Sequence, residues 1–388
     1  MIVTTQPKAS ASSVGRIVSL DLMRGWFLVI IILDHLTYFP NGLTFLTGDS
    51  RLAVSAAEGF FIISGLVLGI VRGAKLRTQP LMAATRLLWK RAGTLYLTSI
   101  IVTMLSLLIS WFFIDNKGVK LPLPLPDGNW LGLAWDIITL QQFYGWADYL
   151  RLYALFIAVA PGALWLLRRG KWYIVLGLSL LVWALTPRPV SELYQPLTWQ
   201  VLFFMAFALG YHLPEITARW QSWPLRRRRI IKRSIATLFV LTLFADAYVT
   251  FVAHGLGDGF HQALAAADTA LDNQFLKLDL PLPRLTLSWL WFAGFFMLFR
   301  RFEDRIKRWL GWILLPFGHN SLYVYTVHAF VILVIHLFVA PDYYISDFYF
   351  TSVDRFYEIP ANFALSVSAL ALIYLAVKTK FLMKIIPR

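Results

Sequence analysis

Apolar runs of about 20 residues recur along almost the whole chain, and they constrain its fold more than any other feature. A helix that crosses the hydrocarbon core of a bilayer needs about 20 predominantly apolar residues. Hydrophobic residues make up 58% of the 388 residues and charged residues only 15%. Soluble domains are about half apolar and about a quarter charged. The sequence therefore predicts an all-α, multi-pass integral membrane protein.

The positions of the apolar runs predict ten spanning helices. Their approximate ranges are 17–38, 52–71, 92–113, 150–167, 172–186, 198–213, 234–253, 286–299, 313–339 and 361–377. The first run contains Asp21 and Arg24, and no small-residue cleavage site follows it. We interpret this run as an uncleaved helix and not as a signal peptide.

Basic residues mark alternate connections between the predicted helices. Of the 36 Lys and Arg residues, 27 lie at the two termini and in four connections. These connections are "RGAKLRTQPLMAATRLLWKR", "RRGK", "PEITARWQSWPLRRRRIIKR" and "RRFEDRIKR". The positive-inside rule places them in the cytoplasm and predicts an N-in, C-in topology. Residues 1–16 would then form a cytoplasmic tail, and residues 17–388 a single transmembrane domain.

The net charge of +15 is mainly a consequence of this topology. No basic module remains outside the connections, so a nucleic-acid partner is not expected. The chain has no cysteine, which excludes disulfides and a cysteine acyl-enzyme. No pair of histidines has the spacing and carboxylate company of a zinc site, so no metal is expected.

The first predicted helix carries a polar stripe. Asp21, Arg24 and His35 share one face within about 60°, because an α-helix turns about 100° per residue. Such residues are costly in hydrocarbon and usually mark a path or a site. Two interpretations stay open here. Asp21 and Arg24 could form a purely structural i, i+3 pair, or the stripe could line a water-filled tunnel.

Other predicted helices add polar candidates. Glu58 and Ser64 lie in the second helix, and Asn320 and His328 lie in the ninth. For each of these residues taken alone, a structural hydrogen bond is an alternative to a role in a site. The sequence contains no P-loop and no G-x-G-x-x-G fingerprint, and it lacks the G-x-S-x-G elbow of many serine hydrolases.

Three motifs resemble membrane-bound O-acyltransferases of the acyltransferase-three type. "SLDLMRGWFLVIIILDH" is similar to their first helix, whose signature of Arg, ten residues and His is matched by Arg24 and His35. "AAEGFFIISGLVLG" resembles their "FF-x-x-SG" stretch, and "FGHNSLYVYTVH" a late helix with a histidine. The likeness extends to "PGALWLLRRGKW" and "WQVLFFMAFALGY", which look like the osmoregulated periplasmic glucan succinyltransferase (OpgC) family.

The resemblance implies transfer of an acyl group, such as succinyl or acetyl, from cytoplasmic acyl-CoA to a hydroxyl of an extracytoplasmic glycan. His35 would be the general base, because an imidazole accepts a proton near neutral pH. Asp34 or Glu58 would orient it. The basic residues expected at the donor are Arg24, steadied by Asp21, with Arg72, Lys75, Arg86 and Arg91. The residues expected at the acceptor are Ser64, Asn320, His328, Trp146 and Tyr149.

Localisation and partners complete these expectations. The protein is expected in the cell (inner) membrane, with membrane lipids and the glycan acceptor as partners, and a homodimer is also considered. The alternative function is a transporter or flippase for an anionic lipid or sugar, which would also use intramembrane Arg and His. A non-catalytic membrane scaffold is the third interpretation. For the aromatic residues near the outer surface, an interfacial belt is the alternative to sugar binding.

Overall fold

The computed structural model describes residues 16–48, 52–119, 128–251, 274–341 and 357–386. Helices make up most of these ranges, and none of the ranges contains a β-strand. A helix forms hydrogen bonds among its own backbone N–H and C=O groups, which is necessary in a membrane because hydrocarbon offers no hydrogen-bond partners. The predicted all-α class is confirmed for these ranges. Of the predicted tail, residues 1–15 lie outside them.

The described ranges contain fourteen α-helices. They are α1 (Val18–Leu36), α2 (Thr44–Thr47), α3 (Ala56–Leu68), α4 (Leu81–Phe112), α5 (Trp130–Ile138), α6 (Asp148–Arg168), α7 (Trp172–Leu185), α8 (Gln195–Tyr211), α9 (Leu213–Ser222), α10 (Leu225–Phe251), α11 (Leu282–Arg301), α12 (Glu303–His319), α13 (Ser321–Phe338) and α14 (Ile359–Thr379). A π-helical turn, Gly69–Ala74, continues α3. Two 3₁₀ turns, Gly145–Ala147 and Glu192–Tyr194, precede α6 and α8.

Within the described residues, six helical segments are long and apolar enough to cross a membrane. They are Ala56–Ala74, Leu81–Phe112, Gly145–Arg168, Leu282–Arg301, Ser321–Phe338 and Ile359–Thr379. Helices α8 and α9 meet at an angle of 66° and make a seventh if they count as one broken span. The protein is therefore a multi-pass membrane protein, with six or seven candidate spans where ten were predicted. Three predicted spans are not among these segments: α1 carries three charged residues, α7 has only 14 residues, and α10 overlaps the predicted span 234–253.

The predicted helix 313–339 is two helices in the structure. Helix α12 ends at His319 and α13 begins at Ser321. Asn320 between them has non-helical dihedral angles, φ −112° and ψ 36°. Its Nδ2 donates to the carbonyl of Pro316 at 2.9 Å. An Asn side chain that forms a hydrogen bond with nearby backbone competes with the hydrogen bonds of the helix. The predicted helix therefore breaks at Asn320. The predicted connection 300–308 is correspondingly almost all helical.

Helix α1 lies in the middle of the packing and contacts α3, α11, α12, α13 and α14. Glycines allow close approach at two of the helix pairs. A Cβ on Gly25 would lie 2.0 Å from the carbonyl oxygen of Leu314 in α12, and one on Gly65 would lie 2.2 Å from that of Phe203 in α8. Small residues at such contacts let helix backbones approach closely within a membrane. This packing fixes the positions of the α1 residues Arg24 and His35, which belong to the candidate site described below.

The predicted cytoplasmic segments meet at one end of the bundle, called here the arginine end, where α1 begins. Arg168 donates to the carbonyls of Gln79 at 2.7 Å and Leu76 at 2.8 Å. The guanidinium of Arg77 bonds Glu215 in α9. These contacts join three basic connections that are far apart in sequence. The opposite end, where α1 ends at Leu36 next to His35, is called the histidine end.

Candidate active site

Two histidines from distant helices form a hydrogen-bonded pair at the histidine end. The Nδ1 atom of His35, on α1, lies 3.0 Å from Nε2 of His328, on α13. The ring centroids are 5.3 Å apart, with an angle of 29° between the ring planes. The other ring nitrogen of His328, Nδ1, is hydrogen-bonded to the carbonyl of Tyr325 one helical turn earlier. The structure thus brings together two residues that were predicted separately.

The hydrogen-bond partners of His35 and His328 define which of their ring nitrogens carry a hydrogen. A carbonyl oxygen only accepts, so Nδ1 of His328 carries a hydrogen. When both rings are neutral, Nε2 of His328 is an acceptor and Nδ1–H of His35 donates to it. The Nε2 lone pair of His35 is then free, and no described residue forms a hydrogen bond with it. This arrangement leaves Nε2 of His35 able to accept a proton.

Aromatic rings enclose the histidine pair. The ring of Trp146 lies 4.7 Å from that of His35, centroid to centroid. Tyr149, in the first turn of α6, stacks on Tyr325 at 5.3 Å with an interplanar angle of 8°. The hydroxyl of Tyr325 donates to Oδ1 of Asp148 at 3.1 Å. The start of α6 therefore supplies the wall of the site, and two predicted acceptor residues, Trp146 and Tyr149, belong to it.

Glu58, one of the two carboxylates expected to orient His35, is engaged by other residues. Oε1 of Glu58 is 2.6 Å from Nε and 2.5 Å from Nη2 of Arg284, and both side chains are almost fully buried. Its Oε2 accepts from the backbone N–H and the hydroxyl of Ser55 at 3.1 and 2.5 Å. Asp34 is buried beside His35 in the chain. An imidazole, that of His328, takes the orienting position predicted for a carboxylate.

A cavity of about 210 Å³ lies on the arginine side of this wall. Helices α1, α3, α4, α6 and α13 and the π-helical turn line it. The polar side chains in its lining are Arg24, Ser64, Arg72, Arg91, Tyr153, Ser321 and Tyr325. The π-helical turn carries Arg72, and such turns are frequent at functional sites. Three of the residues predicted for the donor thus share one cavity.

The three arginines of the cavity form no ion pair with any carboxylate among the described residues. The buried Nε of Arg24 has no hydrogen-bond partner there either. Buried charges are costly unless they are paired, so this cavity is suited to an anionic ligand.

One interpretation of the stripe was an ion pair between Asp21 and Arg24. In the structure Asp21 forms ion pairs with other residues. Its Oδ2 lies 2.6 Å from Nε of Arg16 and 3.7 Å from Nε2 of His319. The reason is that α12 packs closely on this part of α1 and brings His319 to Asp21. The pairing that steadies Arg24 in the prediction is therefore absent from the described ion pairs.

The remaining predicted residues lie outside the cavity lining. Lys75 and Arg86 are exposed at the arginine end. Asn320 occupies the junction of α12 and α13, where its amide bonds the backbone. Within the described ranges, no group of three or more His, Asp or Glu side chains is arranged to hold a metal ion.

Tyr325 lies between the cavity and the histidine pair. Its side chain lines the cavity, while its carbonyl holds His328. Along α1, Arg24 and His35 are eleven residues apart, which corresponds to about 16 Å of helix. Helices α1 and α13 therefore connect the arginine-lined cavity to the histidine pair.

Sequence reasoning missed Asp148, Arg284 and Tyr325. Tyr325 lies in the motif "FGHNSLYVYTVH", and Asp148 lies among the aromatic residues of "FYGWADY". The sequence therefore contained a local signal for both residues. Arg284 lies outside the four basic connections. Its pairing with Glu58 spans 226 residues and has no local signature.

The fold and this site define a polytopic helical membrane protein in which α1 and α13 contribute to both a histidine pair and an arginine-lined cavity. A family model described as OpgC protein matches residues 16–384, nearly the whole chain. The chain belongs to this family, and membership implies acyltransferase activity in general. The comparison with curated proteins and the comparison with solved structures each found no match.

Proposed function

We propose that the protein transfers an acyl group from cytoplasmic acyl-CoA to a hydroxyl of an extracytoplasmic glycan in the inner membrane. One observation carries this proposal: a hydrogen-bonded histidine pair and a cavity with three arginines lie on either side of Tyr325, and the arginines form no ion pair among the described residues. Family membership agrees with acyl transfer as the reaction and with a glucan as the acceptor.

The arginine cavity would receive the donor. The phosphates of acyl-CoA are multiply charged, and guanidinium groups bind phosphate oxygens through charge-assisted hydrogen bonds. Arg24, Arg72 and Arg91 would take these contacts. The extended pantetheine arm would then run along α1 toward Tyr325 and present the thioester to His35.

The histidine pair would perform the proton transfers. Nε2 of His35 accepts the proton of the acceptor hydroxyl as its oxygen adds to the thioester carbonyl. The hydrogen bond from Nδ1–H to His328 fixes the ring and strengthens as His35 becomes positive. When the C–S bond breaks, the CoA thiolate takes the proton from Nε2. Direct attack by the hydroxyl needs no covalent acyl-enzyme.

An N-in, C-in topology with ten crossings completes the proposal. Its support is that the predicted cytoplasmic connections meet at the arginine end, where an intracellular donor would enter. We expect a cysteine introduced at Lys117 to react with an impermeant thiol reagent from outside, and one at Arg228 not to react. The reverse pattern would place the donor cavity on the wrong side.

Transfer by the purified protein tests the function. The protein in detergent micelles is mixed with an acyl-CoA and a glucan, and the product is measured by mass spectrometry. We expect acylated glucan from the wild type and from His212→Gln, a matched histidine change at the α8–α9 junction. Movement of a sugar or lipid across proteoliposomes without acyl transfer would favour the transporter alternative.

A further inference from the structure

The densest group of basic residues in the described part of the chain lies where α9 meets α10. Helix α9 is bent by 66° from α8, and only Trp223 and Pro224 separate its end from the start of α10. Glu215 of α9 bonds Arg77, so this junction belongs to the arginine end. Six of the eight residues that follow Leu225 are basic. These residues, called here the basic cluster, are Arg226, Arg227, Arg228, Arg229, Lys232 and Arg233.

The basic cluster has no counter-charge among the described residues. Its four arginines follow directly on the first residue of α10, and the first turn of this helix contains no acidic residue. No member of the cluster forms an ion pair with a described carboxylate. The buried Nε of Arg228 has no hydrogen-bond partner there either. Ion pairs within the fold therefore do not explain this concentration of charge.

The position of the cluster is unfavourable for the helix itself. The N-terminus of an α-helix carries a positive partial charge, so cations in its first turn destabilise it. Like charges also repel when they are three or four residues apart, as Arg226 and Arg229 are, and Arg228 and Lys232. A bound anion would relieve both effects. The positive-inside rule accounts for the side of the membrane on which basic residues lie, but it does not require this crowding at a helix start.

Exposed apolar side chains surround the basic cluster. The exposed fractions of Ile216, Leu225 and Ile230 are 42%, 70% and 54%. The rings of Trp220 and Trp223 lie 5.5 Å apart, centroid to centroid, and both residues are partly exposed. Tryptophan is enriched at the boundary between membrane and water, and basic helices with apolar side chains lie in this boundary. The junction therefore combines positive charge with the side chains of a membrane surface.

One contact joins these two kinds of residue. The guanidinium carbon of Arg227 lies 4.0 Å above the ring of Trp223. This stacking holds a cationic group at the level of an interfacial aromatic ring, where lipid phosphates would lie. A soluble phosphate or an acidic peptide would use the charges alone, whereas a phospholipid would also cover the exposed apolar side chains.

We propose that the basic cluster and the two tryptophans form a binding site for the headgroups of anionic phospholipids. Guanidinium groups bind phosphate oxygens through charge-assisted hydrogen bonds, and clusters of four to eight basic residues next to membrane helices attract anionic lipids. Ile216 and Leu225 would contact the acyl chains. The inference does not depend on the proposed acyl transfer, because it uses no residue of the cavity or of the histidine pair.

Binding of a labelled lipid tests the inference. The purified protein in an uncharged detergent is titrated against fluorescent phosphatidylglycerol, which is anionic, and fluorescent phosphatidylcholine, which has no net charge. We expect the wild type to prefer phosphatidylglycerol. The triple variant Arg226→Gln/Arg227→Gln/Arg229→Gln should bind it at least about 10-fold more weakly, with little change for phosphatidylcholine. Replacing the same three residues by Lys keeps the charges and should retain most of the affinity.

The matched control removes the same charge elsewhere. Lys378→Gln/Lys380→Gln/Lys384→Gln changes three exposed residues near the C-terminus and should bind phosphatidylglycerol as the wild type does. The unfolding midpoint of the arginine variant should not fall, because these side chains form no hydrogen bond with described residues. Equal affinity of the wild type for the two lipids, or an equal loss in the arginine and lysine variants, would overturn the inference. Binding of poly-glutamate without preference for phosphatidylglycerol would overturn it in favour of an acidic protein partner.

Discussion

Breaking the ion pair of Glu58 and Arg284 should strongly destabilise the fold. The exposed fractions of the two side chains are 0% and 5%, so a partner left alone is a buried charge without compensation. Such a change costs about 3–5 kcal/mol. Arg284→Met also removes the donor to the carbonyl of Phe275, which adds about 1 kcal/mol. We expect Arg284→Met to lower the free energy of unfolding by about 4–6 kcal/mol.

The double variant Glu58→Gln/Arg284→Met separates charge from packing. Gln at position 58 can keep the capping interactions with Ser55, because Gln serves at this position of a capping box. With both charges removed, the expected loss is only about 1–2 kcal/mol. Unfolding would be followed in detergent micelles by circular dichroism. The exposed pair Arg300–Glu303 supplies the control, since Arg300→Met should cost less than about 1 kcal/mol. Equal stabilities of Arg284→Met and the double variant would refute the reasoning.

Further changes test the cavity and the helix packing. Arg24→Met should raise KM for acyl-CoA and abolish thermal stabilisation by millimolar CoA. Arg86→Met, a change at an exposed residue, is the control and should leave both unchanged. If CoA stabilised Arg24→Met as much as the wild type, the donor assignment would be contradicted. Gly65→Ala should destabilise by about 1–3 kcal/mol, because its Cβ would meet backbone of α8. Gly93→Ala, with open space around it, should instead be neutral or stabilising by up to about 1 kcal/mol. Equal effects of the two glycine changes, measured by thermal unfolding, would contradict the packing.

Features within one helix could be predicted from the sequence. The rotation of 100° per residue and the spacing of eleven residues indicated a stripe on α1 that includes Arg24 and His35. The structure places both residues at the candidate site, one in the cavity and one in the pair. Apolar composition likewise predicted membrane helices, although the charges in α1 and the break at Asn320 changed their number and bounds.

Pairings between helices could not be predicted in this way. Glu58 and Arg284 are 226 residues apart, and His35 and His328 are 293 apart. Which side chains meet depends on the packing order of the helices, and no single-helix pattern contains that order. Asp21 shows the same effect within α1. Its i, i+3 spacing allows a pair with Arg24, but the close packing of α12 brings His319 to it instead.

The central claim is that Nε2 of His35 is the base and that His328 holds it, and comparison of kcat among three variants tests this most directly. His35→Gln removes the base and should lower kcat by about 10²–10⁴-fold. His328→Met removes a hydrogen bond that strengthens by about 1–1.5 kcal/mol when His35 becomes charged, and it should lower kcat about 5- to 13-fold. His328→Gln can still accept from Nδ1–H of His35 and should retain more activity than His328→Met. Near-normal activity in His35→Gln, with activity abolished in both His328 variants, would contradict the account and assign the base to His328.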